Sequence, residues 1–275
     1  MPELPEVEVT RRALAPVLEG RRFVRAVFRT TKLRHVVPDL TPLTGWRLAA
    51  LSRRAKHLVW RFEDDSGVVR WLVTHLGMTG AWRLWPEDKA PSVGAHDRAD
   101  LFFEGVVVRL TDPRKFSDMR LSAVDPLTVP PLSKLGVEPL STDFTVQGLY
   151  QGLQAARRPV KAVLLDGKVV VGCGNIYANE SLFAAGIAPE RPACRVTKAE
   201  AAKLQASIVD VLSRAVDAGG TTLRDFHGAD GEAGWFSVQC AVYGREGQTC
   251  PRCGAVIARM MQSGRSSFFC PKCQK

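Results

Sequence analysis

Among the 275 residues no apolar run approaches the roughly 20 that a membrane-spanning helix needs, so no span is expected. The opening Met1-Pro2-Glu3-Leu4-Pro5-Glu6 lacks the basic start and apolar stretch of a secretory signal. The expected location is therefore cytoplasmic, and a reducing compartment argues against a disulfide framework for the seven cysteines. There is no internal repeat and no low-complexity tract. Acidic residues are scarce: 28 Asp plus Glu face 38 Lys plus Arg, a formal net charge of +10. That excess fits a polyanionic partner such as nucleic acid, and fits equally a well-solvated surface.

What is present divides the chain by texture. A short amphipathic helix is expected from Pro5 to Leu18, with Val7, Leu14 and Leu18 as its apolar stripe. From about residue 20 to about 125 the pattern is that of strands, among them Arg22 to Phe28, His57 to Phe62, Val68 to Thr74 and Val106 to Thr111. Several are apolar on consecutive positions, as expected where sheets pack face to face. The proline-rich Asp125 to Pro131 reads as a linker. Helical periodicity follows at Thr145 to Ala156, Arg158 to Leu165, Asn175 to Ala185 and Lys198 to Ala218. Thr197 and Glu200 have capping-box spacing, and Gly219-Gly220 is a stop signal.

Cys250-Pro-Arg-Cys253 and Cys270-Pro-Lys-Cys273 are sixteen residues apart. Two CxxC pairs at this separation point to one tetrahedral structural zinc ion, and four thiolates leave no position for catalysis. Cys173, Cys194 and Cys240 are scattered and expected to be free thiols. Between the pairs, Gln262-Ser263-Gly264-Arg265-Ser266-Ser267 reads as a hairpin tip carrying one arginine, suited to a phosphate contact or to simple solvation.

The N-terminus carries a candidate chemistry. Removal of Met1 leaves Pro2 with a free secondary amine. An α-amino group has a pKa of about 8, against about 10.4 for lysine, so a useful fraction is nucleophilic at neutral pH. Attack on a sugar C1′ gives an iminium cation, a strong electron sink for phosphate elimination, and Glu3 beside it can move protons. The string Met1-Pro2-Glu3-Leu4-Pro5-Glu6-Val7-Glu8 resembles the start of the formamidopyrimidine-DNA glycosylases, bacterial enzymes that remove 8-oxoguanine and ring-opened purines.

The resemblance continues along the chain. Ser52-Arg53-Arg54-Ala55-Lys56-His57 is similar to the family segment whose lysine contacts the lesion strand and assists catalysis, here Lys56. His75-Leu76-Gly77-Met78-Thr79-Gly80 is similar to the segment in which His meets a phosphate and Met fills the hole left by the extruded base. Asp112-Pro113-Arg114-Lys115-Phe116 resembles the segment whose Arg pairs with the orphaned base and whose Phe wedges into the stack. Val171-Gly172-Cys173-Gly174-Asn175-Ile176-Tyr177 resembles the turn of the helix–two-turn–helix element, with Asn175 capping the next helix while binding a phosphate. Thr221, Thr222, Leu223 and Arg224 fall in a segment, running to Phe236, that resembles the loop over the flipped purine, and Glu6 joins them in lesion recognition. The resemblance implies phosphate contacts for Tyr243 and Arg265, with Arg265 joining Pro2, Glu3 and Lys56 in the catalytic group. Cys173, Ser117 and Gly167 depart from the usual residues; Cys173 is expected to be tolerated, and neither Ser117 nor Gly167 touches the proposed chemistry.

The resemblance implies a multi-domain α+β protein: a catalytic β-sandwich with its N-terminal helix over 1–125, a linker over 126–134, a helical domain with the helix–two-turn–helix and the lesion-covering loop over 135–235, and a β-hairpin zinc finger over 236–275. A basic cleft between domains is expected to hold kinked, damaged duplex DNA. One structural zinc ion and no organic cofactor are implied, with a monomeric, nucleoid-associated enzyme that removes oxidised purines and cuts the strand by β,δ-elimination. The alternatives are an endonuclease VIII-like glycosylase of oxidised pyrimidines, disfavoured by Leu4 where those enzymes typically carry Gly, and a zinc-finger protein that binds damage without cutting it, disfavoured by Pro2, Glu3 and Lys56.

Overall fold

The computed structural model describes residues 2–220 and 240–275. Of these, 2–133 with Gly219 and Gly220 form one compact unit, and 134–218 with 240–275 form the other.

The first unit opens with helix α1 (Leu4–Leu18). Pro5 lies in its first turn, where a missing N–H costs nothing, and the Glu3 amide donates to Glu6 Oε2 at 2.7 Å. Val7, Leu14 and Leu18 are fully buried, as the periodicity requires. Each such side chain contributes about 1.5–3 kcal/mol of burial. Eight strands follow: β1 (Phe23–Phe28), β2 (Arg47–Arg54), β3 (His57–Glu63), β4 (Val69–His75), β5 (Ala81–Pro86), β6 (Asp97–Phe103), β7 (Val106–Thr111) and β8 (Asp118–Ser122). They form two antiparallel sheets, ordered β1-β6-β7-β5 and β2-β3-β4-β8. Aromatic rings fill the space between the sheets. Trp60 meets Trp82 edge-on at 5.6 Å, and Phe62 stacks on Phe103 at 6.3 Å. The Trp60 indole N–H is satisfied by Thr74 Oγ1 at 3.0 Å, so the large ring is buried without an orphaned donor.

The second unit contains α2 (Val146–Gln154), α3 (Val160–Leu165), α4 (Asn175–Ala185), α5 (Lys198–Asp217) and the hairpin β9 (Ala258–Gln262) and β10 (Arg265–Phe269). Thr145 caps α2 by accepting the Gly148 amide, and Thr197 with Glu200 forms the expected capping box on α5. That helix ends at Gly219 and Gly220, both with φ near +80°, a conformation glycine adopts without strain. Helix α4 is buried on all sides over Ile176–Phe183. It has no amphipathic stripe because α3, α5 and β10 surround it.

Candidate functional site

In the first unit Pro2 and Glu3 are buried at the head of α1. Lys56 stands on the two-residue turn between β2 and β3, where Arg54 pairs with His57 and Ala55 takes a left-handed φ of 53°. One carboxylate fastens these two elements together. Glu8 on α1 accepts from Arg53 Nε at 3.0 Å and from Arg11 at 2.8 Å, while Arg53 Nη1 reaches the Ala55 carbonyl beside Lys56. Burial would raise the Glu8 carboxyl, but hydrogen bonds and charge from Arg11 and Arg53 outweigh it and hold the group below its ordinary range. Glu6 is fully buried, and a Cβ on Gly220 would come within 3.2 Å of its Oε1, so the chain that leads into residue 221 passes directly against it.

Met78, Arg114 and Phe116 are brought together by two interlocked loops. At Gly77 a Cβ would lie 2.3 Å from the Phe116 carbonyl group, and at Gly80 one would lie 2.4 Å from the Leu76 oxygen. Only glycine permits this approach, which leaves Met78 and Phe116 exposed by 38% and 44%. Asp112, fully buried, organises the second loop. Its Oδ1 accepts from Thr79 Oγ1 (2.6 Å) and the Arg114 amide (3.2 Å), and its Oδ2 from the Ser117 amide and hydroxyl (2.8 and 2.7 Å). The Arg114 guanidinium lies 4.7 Å over the Phe116 ring. Ser117, a departure from the family pattern, thus contributes to the anchor of the loop that bears Arg114.

A cleft of about 410 Å³ is lined by Arg34, His75, Gly77, Met78 and Phe116. His75 Nδ1 accepts the Gly77 amide at 3.0 Å, which leaves the proton of the neutral ring on Nε2. Burial pushes His75 down to about 3, and the neighbouring His57, Lys56 and Arg34 act in the same direction. His57, with its ring 4.8 Å away, is pushed by burial down to about 4. Both rings are neutral at neutral pH, so His75 can meet an anion as a neutral donor.

In the second unit α4 serves as the mount for the hairpin. Asn175 was expected to cap this helix. The structure gives the N-cap to Gly174, whose extended backbone needs no side chain, and makes Asn175 the first helical residue. Its Nδ2 donates to the Ser266 carbonyl at 3.0 Å instead. Asn179 Oδ1 accepts the Phe268 amide, and Lys161 Nζ donates to the Ser266 carbonyl (2.9 Å) and Ser267 Oγ (2.7 Å). Glu180, raised by burial against three backbone hydrogen bonds, accepts the amides of Ala241, Val242 and Tyr243 and so positions Tyr243. The Tyr243 ring packs edge-on against Phe268 at 5.2 Å. Ser263 and Gly264 make the tip with φ of 48° and 74°, and Arg265 stands exposed at its end.

The four cysteine sulfurs lie within 4.8 Å of one another, with Cys250 to Cys273 at 3.9 Å and Cys253 to Cys270 at 3.5 Å. Tetrahedral zinc with bonds of about 2.3 Å sets its sulfurs about 3.8 Å apart, so the cluster fits the ion. The Arg252 amide donates to Cys250 Sγ at 3.4 Å, as expected at a metal-binding turn. Hydrogen bonding to the Cys253 thiol, then burial, pushes the Cys273 thiol up to about 12, and a divalent cation is what makes four adjacent thiolates compatible. Among the described residues Cys173, Cys194 and Cys240 form no disulfide, in line with the sequence expectation of thiols.

Glu8, Arg53, Arg34, Asp112, Lys161 and Glu180 received no individual role from the sequence. Lys161 had a signal: a single cation within the apolar Val160-Lys161-Ala162-Val163-Leu164-Leu165 has to find buried acceptors, and it is 1% exposed. Met1, Thr221, Thr222, Leu223 and Arg224, and the segment as far as Phe236, lie outside the described residues.

Three family descriptions match the chain in order: the formamidopyrimidine-DNA glycosylase N-terminal domain over residues 1–119, its H2TH domain over 135–227, and the zinc finger found in FPG and IleRS over 247–275. The formamidopyrimidine-DNA glycosylase of Laribacter hongkongensis is 47% identical over 278 residues, and that of Neisseria meningitidis 46% over 280, each with full coverage of both chains. The MutM (FPG) protein of Thermus thermophilus superposes with a TM-score of 0.87 at 40% identity, over 99% of this chain and 98% of that one. A Lactococcus lactis FPG mutant in complex with Fapy-dG-containing DNA superposes at 0.89 with 32% identity over all of both chains.

Proposed function

The chain belongs to the formamidopyrimidine-DNA glycosylase family, and from that premise we propose that it excises oxidised purines from duplex DNA through the amine of Pro2 and then cuts the strand, as a step of base excision repair. The observation that carries the residue-level reading is the Glu8–Arg53 link, which ties the helix bearing Pro2 and Glu3 to the turn bearing Lys56.

The Pro2 nitrogen attacks C1′ of the damaged nucleotide as the glycosidic bond breaks, and the base departs with the bonding electrons and a proton. Glu3, buried beside Pro2, moves protons at the sugar in this reading. Proton transfer to O4′ then opens the C1′–O4′ bond and leaves an iminium at C1′, which acidifies C2′; loss of that proton expels the 3′ phosphate, and a second elimination expels the 5′ phosphate. A one-nucleotide gap with phosphates at both ends remains. Met78, Arg114 and Phe116 fill the space left by the flipped base, while Lys56, His75, Asn175, Tyr243 and Arg265 hold backbone phosphates. Glu6 and residues 221–224 contact the extruded purine. Cys250, Cys253, Cys270 and Cys273 hold zinc with no open coordination position, so the metal orders the hairpin and breaks no bond. The enzyme works as a monomer on chromosomal DNA in the cytoplasm.

Borohydride reduction of zinc-loaded protein with an 8-oxoguanine:cytosine duplex is expected to give a covalent adduct at Pro2. Pro2→Gly is expected to lose most strand cleavage and keep lesion binding. Undiminished cleavage by that variant, or an adduct at another residue, overturns the nucleophile assignment.

A further inference from the structure

The outer face of the β1-β6-β7-β5 sheet carries a buried group of charges that the proposed chemistry does not use. In one row across the strands, Asp100 on β6 lies opposite Arg109 on β7, which lies opposite Arg83 on β5. Arg109 is fully engaged: Nε and Nη2 meet Asp100 at 2.7 and 3.1 Å, and Nη1 meets the Pro91 carbonyl at 2.9 Å and Asp97 at 3.4 Å. Arg29 adds a second guanidinium to Asp100 at 2.5 Å. Burial would raise Asp100, but the hydrogen bonds from Arg109 and Arg29 prevail and keep it ionised. Asp97 is also committed, to the Thr111 hydroxyl at 2.6 Å and the Gly94 amide at 2.7 Å.

Three guanidiniums, of Arg29, Arg83 and Arg109, therefore share two carboxylates, of Asp97 and Asp100, and one positive charge is left over. The surplus falls on Arg83. Like charges directly opposite on paired strands repel, and among the described residues no carboxylate pairs with Arg83. Its Nε is buried without an acceptor, as is Arg29 Nη1. A buried N–H without an acceptor costs about 1–3 kcal/mol. Arg83 borders a cavity of about 290 Å³, walled by Trp85, the loop 91–97, Arg109 and Thr111. A water molecule can satisfy one N–H but leaves the charge unbalanced; a phosphate-like oxyanion supplies both.

We infer that this cavity binds a phosphate-like oxyanion, with Arg83 as its principal donor. The chain beyond the loop leads directly to Arg98, whose guanidinium holds the Asp112 carbonyl at 2.8 Å and the Pro113 carbonyl at 3.4 Å, the backbone from which Arg114 projects. The same chemistry is offered by a free phosphate and by a phosphate of the DNA backbone; the DNA source rests on the function proposed above.

Two measurements on the full-length, zinc-loaded protein separate these sources, each comparing wild type with Arg83→Gln and Arg83→Lys. Inorganic phosphate, titrated at constant ionic strength, is expected to raise the wild-type melting temperature saturably and to lose that effect in Arg83→Gln if the occupant is a free anion. If it is a DNA phosphate, inorganic phosphate has no specific effect and Arg83→Gln flattens the log–log salt dependence of duplex binding by about 0.9. Arg83→Lys retains charge without the planar fork and is expected to keep the salt slope while weakening binding. If Arg83→Gln changes neither the phosphate response nor the salt slope, the inference is overturned; a borohydride adduct still formed by that variant shows that the glycosylase reading stands without it.

Discussion

The loop that carries Arg114 and the hairpin that carries Arg265 both present an exposed guanidinium, yet they are held by different means. The first is fixed by its own chain: glycine backbones packed against the Phe116 carbonyl, and one buried carboxylate gathering four hydrogen bonds. The second is fixed by partners, a zinc site on one side and the polar side chains of Lys161, Asn175 and Asn179 on the other. A small hairpin cannot bury enough surface to order itself, whereas a loop seated on a two-sheet core can. The Arg114 loop is thus ordered by the fold itself, while the hairpin, and with it the grip proposed for Arg265, depends on metal.

Removing the metal is expected to have the largest effect, and on the hairpin alone. Chelation, or Cys270→Ser, is expected to cost duplex affinity about 10- to 100-fold, the equivalent of one or more charge-assisted contacts at about 1.5–3 kcal/mol each. Zinc analysis and filter binding measure it; full affinity in metal-free protein would mean that the hairpin is not a grip. Next in size is Asp112→Asn, which turns an accepting oxygen into a donor facing the Ser117 N–H. It is expected to destabilise the first unit by about 1–2 kcal/mol with zinc content unchanged. Chemical denaturation tests this, and a stability equal to wild type would remove Asp112 from its organising role.

The smallest effect concerns acid. His57 and His75 titrate at about 4 and about 3 when folded, below the usual value of about 6.5. Well above about pH 6.5 neither state binds the proton, and these rings add no pH dependence. As the pH falls below that value the unfolded chain takes up protons that the folded rings refuse, so stability declines down towards their folded values. His57→Phe should make this decline shallower in thermal melts of the zinc-loaded protein between about pH 7 and about pH 5. An unchanged slope would assign the acid sensitivity elsewhere, for instance to protonation of the zinc thiolates.

Much of this was legible in the sequence because it depends on neighbours in the chain. The stripe of α1, the capping box at Thr197, the stop at Gly219 and the CxxC pairs each need only a few residues at fixed spacing. Strands β2, β5, β6 and β8 were not individually marked. Arg-rich β2 and the Asp-bearing β6 interrupt their apolar pattern with charges whose partners lie on other elements: Arg53 with Glu8, and Asp100 with Arg29 and Arg109. Asn175 shows the limit of local reasoning. Helix-start spacing suggested a cap, but the hairpin 91 residues away took its side chain.

By itself, then, the sequence determined the family, the order of domains, the zinc ligands and the identity of the candidate nucleophile, since each rests on short strings whose chemistry is local. Tertiary structure alone decided how those pieces are held. Glu8 came to join α1 to the Lys56 turn, Asp112 to organise the Arg114 loop, Lys161 and Glu180 to mount the hairpin, and Arg83 to be left with a surplus charge. Each of these outcomes depends on which distant groups share a buried space, and the Coulomb and hydrogen-bond requirements of that space act only once the chain has folded.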